Sequence, residues 1–208
     1  MENIKELKEV YKKFKFEIRN RLKEFSEKKD DKEIFAELCF CLLTPQTKAE
    51  ICWQTIEMLI NQNLLFYGTE KQIAENLKKI RFNKKKANYI IEARKEFFRE
   101  NLKDYIKNTK DIHALRKFLV KKIKGFGMKE TSHFLRNIGL GDNIAILDRH
   151  ILKNLKMYNI IEEIPERLSQ KKYLEIEKKF IEFSKKINIK PSELDLLLWA
   201  KETGFVFK

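Results

Sequence analysis

A lysine opening one helical pattern and an aspartate opening the next, Lys129 and Asp148, are separated by nineteen residues and carry the most distinctive chemistry in this chain. An amine is a nucleophile when neutral, and the N-terminus of a helix is a position that opposes a cation. Asp148 precedes the helical pattern containing Ile151 and Leu155, so it reads as an N-cap, a role that holds a carboxylate in a fixed direction. A lysine paired with an aimed carboxylate suits attack on a sugar carbon, with the carboxylate stabilising positive charge on the ring.

Glycine use points to the same region. The chain has six glycines in 208 residues, and four of them fall in KIKGFGMKETSHFLRNIGLGDNIAILDRH. Gly125-Phe126-Gly127 separates two helical patterns, one ending near Ile123 and one running from Lys129 to Ile138, which together form a helix-hairpin-helix of about twenty residues. Glycines keep side chains away from an approaching phosphate, and N–H groups at a helix N-terminus can hold an anion. Lys124 and Lys129 flank the turn, and Phe126 can anchor it.

The charge balance favours a polyanionic partner. Lys and Arg number 45 against 31 Asp and Glu, a formal charge of +14, which attracts nucleic acid through counterion release and steering. The three cysteines, Cys39, Cys41 and Cys52, sit in one early apolar region and are expected to be buried and reduced, with no metal site. No apolar run approaches the length of a membrane span and the charged N-terminus is unlike a signal peptide, so a cytoplasmic protein that associates with the nucleoid through DNA is expected.

Apolar residues recur at helical spacing almost throughout, which predicts an all-α fold. Ile4, Leu7, Tyr11, Phe14, Ile18 and Phe25 mark a first helix that breaks near KKDDK. FAELCFCLLT and KAEICWQTIEMLI form two more, joined through Thr44-Pro45-Gln46-Thr47, where Pro45 ends the first and the threonine hydroxyls can cap the second. Further helices are predicted at 70–79, 84–103, 111–123, 148–157, 169–187 and 192–202, with a loop over 139–143. No Pro-, Gly- or Ser-rich linker divides the chain, so a single domain of two lobes around a shared groove is expected: residues 1–31 with 132–208, and residues 32–131.

The run LVKKIKGFGMKETSHFLRNIG followed by ILDRHI resembles the helix-hairpin-helix DNA glycosylases, whose pattern is a G-h-G-x-K hairpin, a second helix and a loop leading into h-D-x-H/R-h (h, apolar). LCFCLLTPQTKAEI resembles the family's first core helix and its L-[ST]-x-Q-[ST] turn. Branches resembling endonuclease III and the adenine glycosylases carry a late cysteine cluster, whereas this chain has no cysteine after Cys52, which rules out an iron–sulfur cluster there. The chain thus resembles the compact archaeal and bacterial type 2 8-oxoguanine DNA glycosylase/lyases.

That resemblance implies a bifunctional glycosylase and AP lyase of base excision repair, acting as a monomer without metal or organic cofactor on double-stranded DNA carrying 8-oxoguanine opposite cytosine. Lys129 and Asp148 would be catalytic. Gln46 would fill the gap left by the flipped nucleotide, with Lys124, Gly125, Phe126, Gly127 and Arg149 on DNA. The base pocket would use Trp199 to stack, Asp195 and the Lys208 carboxylate as acceptors for purine donors, and His133 to close the other side. Two alternatives stand beside it: a cluster-free endonuclease III-like enzyme for oxidised pyrimidines, and a non-catalytic helix-hairpin-helix DNA-binding protein.

Overall fold

The computed structural model describes residues 2–99 and 102–208, and all regular structure among them is helical. The chain divides into two compact units, one of residues 1–27 and 135–208 and the other of residues 28–134.

The second unit is built around α2 (Asp31–Leu43), in which every residue from Ile34 to Leu43 is buried. A helix apolar all round has to be covered on every side. It is packed by α3 (Ala49–Asn61) and α6 (Asn83–Arg99). Phe35 is held in an aromatic cluster with Phe97 and Phe98 of α6, at ring distances of 5.4 and 5.1 Å. Asp30 begins α2 with a complete capping box, accepting from Glu33 N while Glu33 reaches back to Asp30 N. Two short helices, α4 (Leu64–Tyr67) and α5 (Glu70–Asn76), lie between α3 and α6.

The first unit repeats the principle with α12 (Pro191–Thr203), buried continuously from Ser192 to Leu198. The long α1 (Glu2–Ser26) lies along it, with Leu7, Phe14, Ile18 and Phe25 forming its buried stripe. Glu193 on α12 accepts from Tyr11 and from Arg19 Nε. Helices α10 (Arg149–Met157) and α11 (Gln170–Ile187) pack on the same core helix.

One sequence expectation, the threonine caps of α3, is corrected, and α4 is a helix that the apolar spacing did not signal. Of the expected helix 84–103, the described residues give α6 (Asn83–Arg99) and the start of α7 (Leu102–Asn108), and residues 100 and 101 lie outside the described residues. The one-turn helix α4 is too short to show a period. The threonines of the 44–47 turn do not cap α3, whose N-cap is Lys48 without a side-chain bond. Instead Thr44 Oγ1 donates to Cys41 O, and Thr47 Oγ1 accepts from Arg81 N.

Arg94 on α6 closes the α4 region, donating to the carbonyls of Leu64, Leu65 and Gly68 at 3.0, 3.1 and 2.8 Å. These include carbonyls that a helix end leaves unmatched. Arg94→Met should lower stability by about 2–3 kcal/mol, since the guanidinium's charge-assisted bonds vanish while the carbonyls stay partly buried. Urea unfolding of the two proteins measures this.

Candidate active site

The helix-hairpin-helix consists of α8 (Ile112–Lys122) and α9 (Met128–Asn137). Gly125 lies in the left-handed region at φ 95°, and a Cβ there would come within 2.4 Å of the Tyr89 ring. Neither the backbone conformation nor the space admits a side chain. Phe126 is buried, its ring 6.0 Å from that of Phe134 on α9. Arg116 on α8, fully buried, donates to Ser132 on α9 at 3.1 Å and bridges the two arms.

Glu130 organises the turn. Its Oε2 accepts from Gly127 N at 3.2 Å, the half of a capping box that reaches back from the third helical residue. Its Oε1 lies 3.0 Å from Lys129 Nζ. Thr131 Oγ1 donates to Gly127 O at 2.8 Å, and Phe126 N to Ile123 O at 3.1 Å. The N–H groups of Phe126 and Gly127 therefore serve the turn itself. Helix geometry leaves those of Met128 and Lys129, in the first turn of α9, to face an anion. Lys129 is partly exposed, and His133, one turn on, is buried with its ring edge-on to Phe40 at 5.4 Å.

Lys124 is exposed and paired with Glu92 at 3.2 Å. Gln46 is exposed at the tip of the 44–47 turn in the left-handed region, φ 59°. Close by, Lys86 is buried, and that burial pushes its ammonium down to about 8, with the charge of Lys129 adding to the effect and those of Cys52 and Glu130 opposing it. The three cysteines are buried free thiols, and among the described residues no group of three or more His, Cys, Asp or Glu converges to hold a metal.

In the first unit, Asp148 is the N-cap of α10, as its position before Ile151 predicts. Its Oδ1 accepts from His150 N and Ile151 N, both at 2.8 Å. The segment leading to it, Ile144–Leu147, is buried and fastened to α11. Tyr173 OH donates to Ala145 O at 2.6 Å and accepts from Leu147 N at 3.2 Å, while Glu177 accepts from Ala145 N at 2.9 Å. These bonds position the aspartate, and sequence reasoning missed both residues. The signal was present, since Tyr173 and Glu177 fall in the stripe of Ile176, Phe180 and Phe183. Arg149 is exposed, with Nε 3.3 Å from His150 Nε2.

Asp195 and Trp199 occupy successive turns of α12 but differ in setting. Asp195 is buried, and its Oδ2 accepts from Arg136 at 2.6 Å. Burial pushes this carboxyl up to about 7, against the pull of Arg136 and with the charge of Asp148 adding to the rise. Trp199 is partly exposed, and the tail folds back on it, Phe205 edge-on at 5.2 Å and Phe207 at 6.3 Å, which leaves the half-buried Lys208 one residue beyond that cluster.

A model of the family described as "8-oxoguanine DNA glycosylase" matches residues 18–189. The chain belongs to the 8-oxoguanine DNA glycosylase family. Among curated members of that family, it is 42 % identical to the 8-oxoguanine DNA glycosylase/AP lyase of Fusobacterium nucleatum, over 100 % of this chain and 98 % of the relative. It is 44 % identical to that of Methanocaldococcus jannaschii over 92 % of this chain and 91 % of the relative. Among solved structures, the M. jannaschii 8-oxoguanine glycosylase/lyase in complex with a 15mer DNA containing 8-oxoguanine matches at a TM-score of 0.92 and 40 % identity, covering 100 % of both chains. The Thermotoga maritima 8-oxoguanine DNA glycosylase matches at 0.89 and 34 %, covering 100 % of this chain and 99 % of that one.

Two outcomes follow for this member of the glycosylase family. Tyr173→Phe should cost about 1–3 kcal/mol by stranding the buried Ala145 carbonyl and Leu147 N–H, and should slow base release through Asp148 misplacement; urea unfolding and single-turnover kinetics read the two effects. The second concerns Lys86. Its native pKa, about 8, lies below the ordinary 10.5, so between these values the unfolded chain binds more protons and the contribution of Lys86 to stability rises with pH. The urea midpoint of the wild type relative to Lys86→Met should therefore increase from pH 8 towards pH 10.

Proposed function

We propose that this chain is a bifunctional 8-oxoguanine DNA glycosylase and AP lyase of base excision repair, with Lys129 as nucleophile and Asp148 as electrostatic partner. The carrying observation is Lys129 in the first turn of α9, just past the glycine turn of a helix-hairpin-helix, with Asp148 capping α10, in a chain that matches a glycosylase/lyase over 98 % of that relative.

The first-turn N–H groups of α9 hold a DNA phosphate, and Gln46 fills the space vacated when the damaged nucleotide is flipped out. The neutral amine of Lys129 bonds to C1′ of the deoxyribose as the bond from C1′ to N9 breaks, and the base leaves with the electron pair and takes up a proton. Asp148, its direction set by the cap, stabilises the positive charge that develops on the sugar and accepts the proton shed by the amine. The aminal then opens by breaking C1′–O4′ to give a Schiff base. Loss of a C2′ proton expels the 3′ phosphate and cuts the strand. Trp199 stacks on the extruded base, Lys208 completes the pocket through its carboxylate, and His133 closes the far side. Asp195, held in place by Arg136 through Oδ2, accepts from the purine donors together with Lys208.

The test is base release from a duplex carrying 8-oxoguanine opposite cytosine, beside thymine glycol and undamaged controls, with borohydride trapping. Wild type should release 8-oxoguanine and give a covalent adduct, Lys129→Gln should give none, and Asp148→Asn should slow release by at least about 10²-fold. Trapping on thymine glycol alone would move the activity to oxidised pyrimidines, and binding without release or adduct would leave a DNA-binding module.

A further inference from the structure

Lys86 sits in the run Asn83-Lys84-Lys85-Lys86, which reads as a solvated face, yet it is only 4 % exposed. Its Nζ donates to the main-chain carbonyls of Leu43 at 2.8 Å and Pro45 at 2.7 Å, with Thr47 Oγ1 at 3.5 Å. An ammonium has three protons, and here they face three oxygens of one short turn and the end of α2. Leu43 is the last residue of α2, whose final carbonyls have no partner within the helix.

Thr47, one of its partners, joins this turn to a second. Thr47 Oγ1 accepts from Arg81 N at 3.3 Å, and Lys86 N bonds Phe82 O at 2.9 Å. Each turn carries a non-glycine residue in the left-handed region, Gln46 at φ 59° and Phe82 at φ 60°. Such conformations persist only where the surroundings impose them. Gln46 is held by the turn's own bond from Thr47 N to Thr44 O at 3.1 Å and by the contacts of Lys86 to the carbonyl before it and to the hydroxyl after it. With a side chain unable to donate, the carbonyls of Leu43 and Pro45 lose this partner and the turn keeps only its own backbone bond and its link to Arg81.

We propose that Lys86 is a positioning residue: its buried ammonium locks the 44–47 turn against the 81–82 turn and so holds Gln46 in the conformation that engages DNA. The inference rests on the reading above that Gln46 contacts the duplex. Lys86 itself touches no DNA. Its role is therefore felt in DNA affinity through Gln46 and not in the attack by Lys129.

The experiment is a double-mutant cycle over Lys86→Met and Gln46→Ala, read by single-turnover excision of 8-oxoguanine across enzyme concentrations. Urea unfolding establishes that each variant is folded. Lys86→Met should raise the half-saturating concentration about tenfold, the equivalent of a charge-assisted contact, with a smaller fall in the rate at saturation. Gln46→Ala should weaken the wild type but add little to Lys86→Met, because the glutamine is no longer presented. Thr47→Val, which removes only the hydroxyl at the junction, should act in the same direction and more weakly. A folded Lys86→Met with wild-type half-saturation, or a Gln46→Ala penalty undiminished in its background, overturns the inference. Absence of 8-oxoguanine excision by the wild type would instead strike the functional reading on which it rests.

Discussion

The reversal of the chain between α8 and α9 is the constraint on which the chemistry depends. Only a residue without a side chain fits at Gly125, where a positive φ and the Tyr89 ring coincide. Phe126 turns inward against Phe134, so the turn is fastened from below, while Glu130 fastens it from the helix side by accepting from Gly127 N. The outcome is a lysine one residue inside the N-terminus of α9, beside N–H groups aimed outward. Glu130 also lies against Lys129. One carboxylate thus serves both the backbone of the turn and the side chain proposed as the nucleophile.

A second theme is the use of long cationic side chains to satisfy carbonyls at helix ends and in loops. Arg94 does this for the α4 region and Lys86 for the end of α2 and the turn after it. Both units are built around a helix buried almost all round, α2 or α12. The connections that leave such helices must discharge their polar groups close to an apolar core, where an unmatched carbonyl is costly. A buried cation with several donors meets that requirement, at a desolvation cost that only multiple acceptors offset.

Much of this was legible in the sequence where the determinants are local. The Gly-Phe-Gly turn, the hairpin arms and the cap at Asp148 involve neighbours within a few residues, and all three stand as spacing predicts. The same holds for the apolar runs of α2 and α12. Residues whose partners are distant in sequence were invisible: Lys86 bonds Leu43, Tyr173 bonds Ala145 and Arg136 bonds Asp195. Lys86 was further disguised by its lysine-rich surroundings, although it lies in line with buried Ile90, Ala93 and Phe97. Asp195 shows the converse, since its place on a helix face is local information but its occupation by Arg136 is not.

The central claim is that the nucleophile is the amine of Lys129, and the most direct measurement is peptide mapping by mass spectrometry of the borohydride-reduced adduct with 8-oxoguanine duplex. The sugar remnant should lie on Lys129. A remnant on Lys124, Lys86 or any other amine would contradict the account, because the turn, the helix N-terminus and the carboxylate of Glu130 would then be arranged around a residue that does not react.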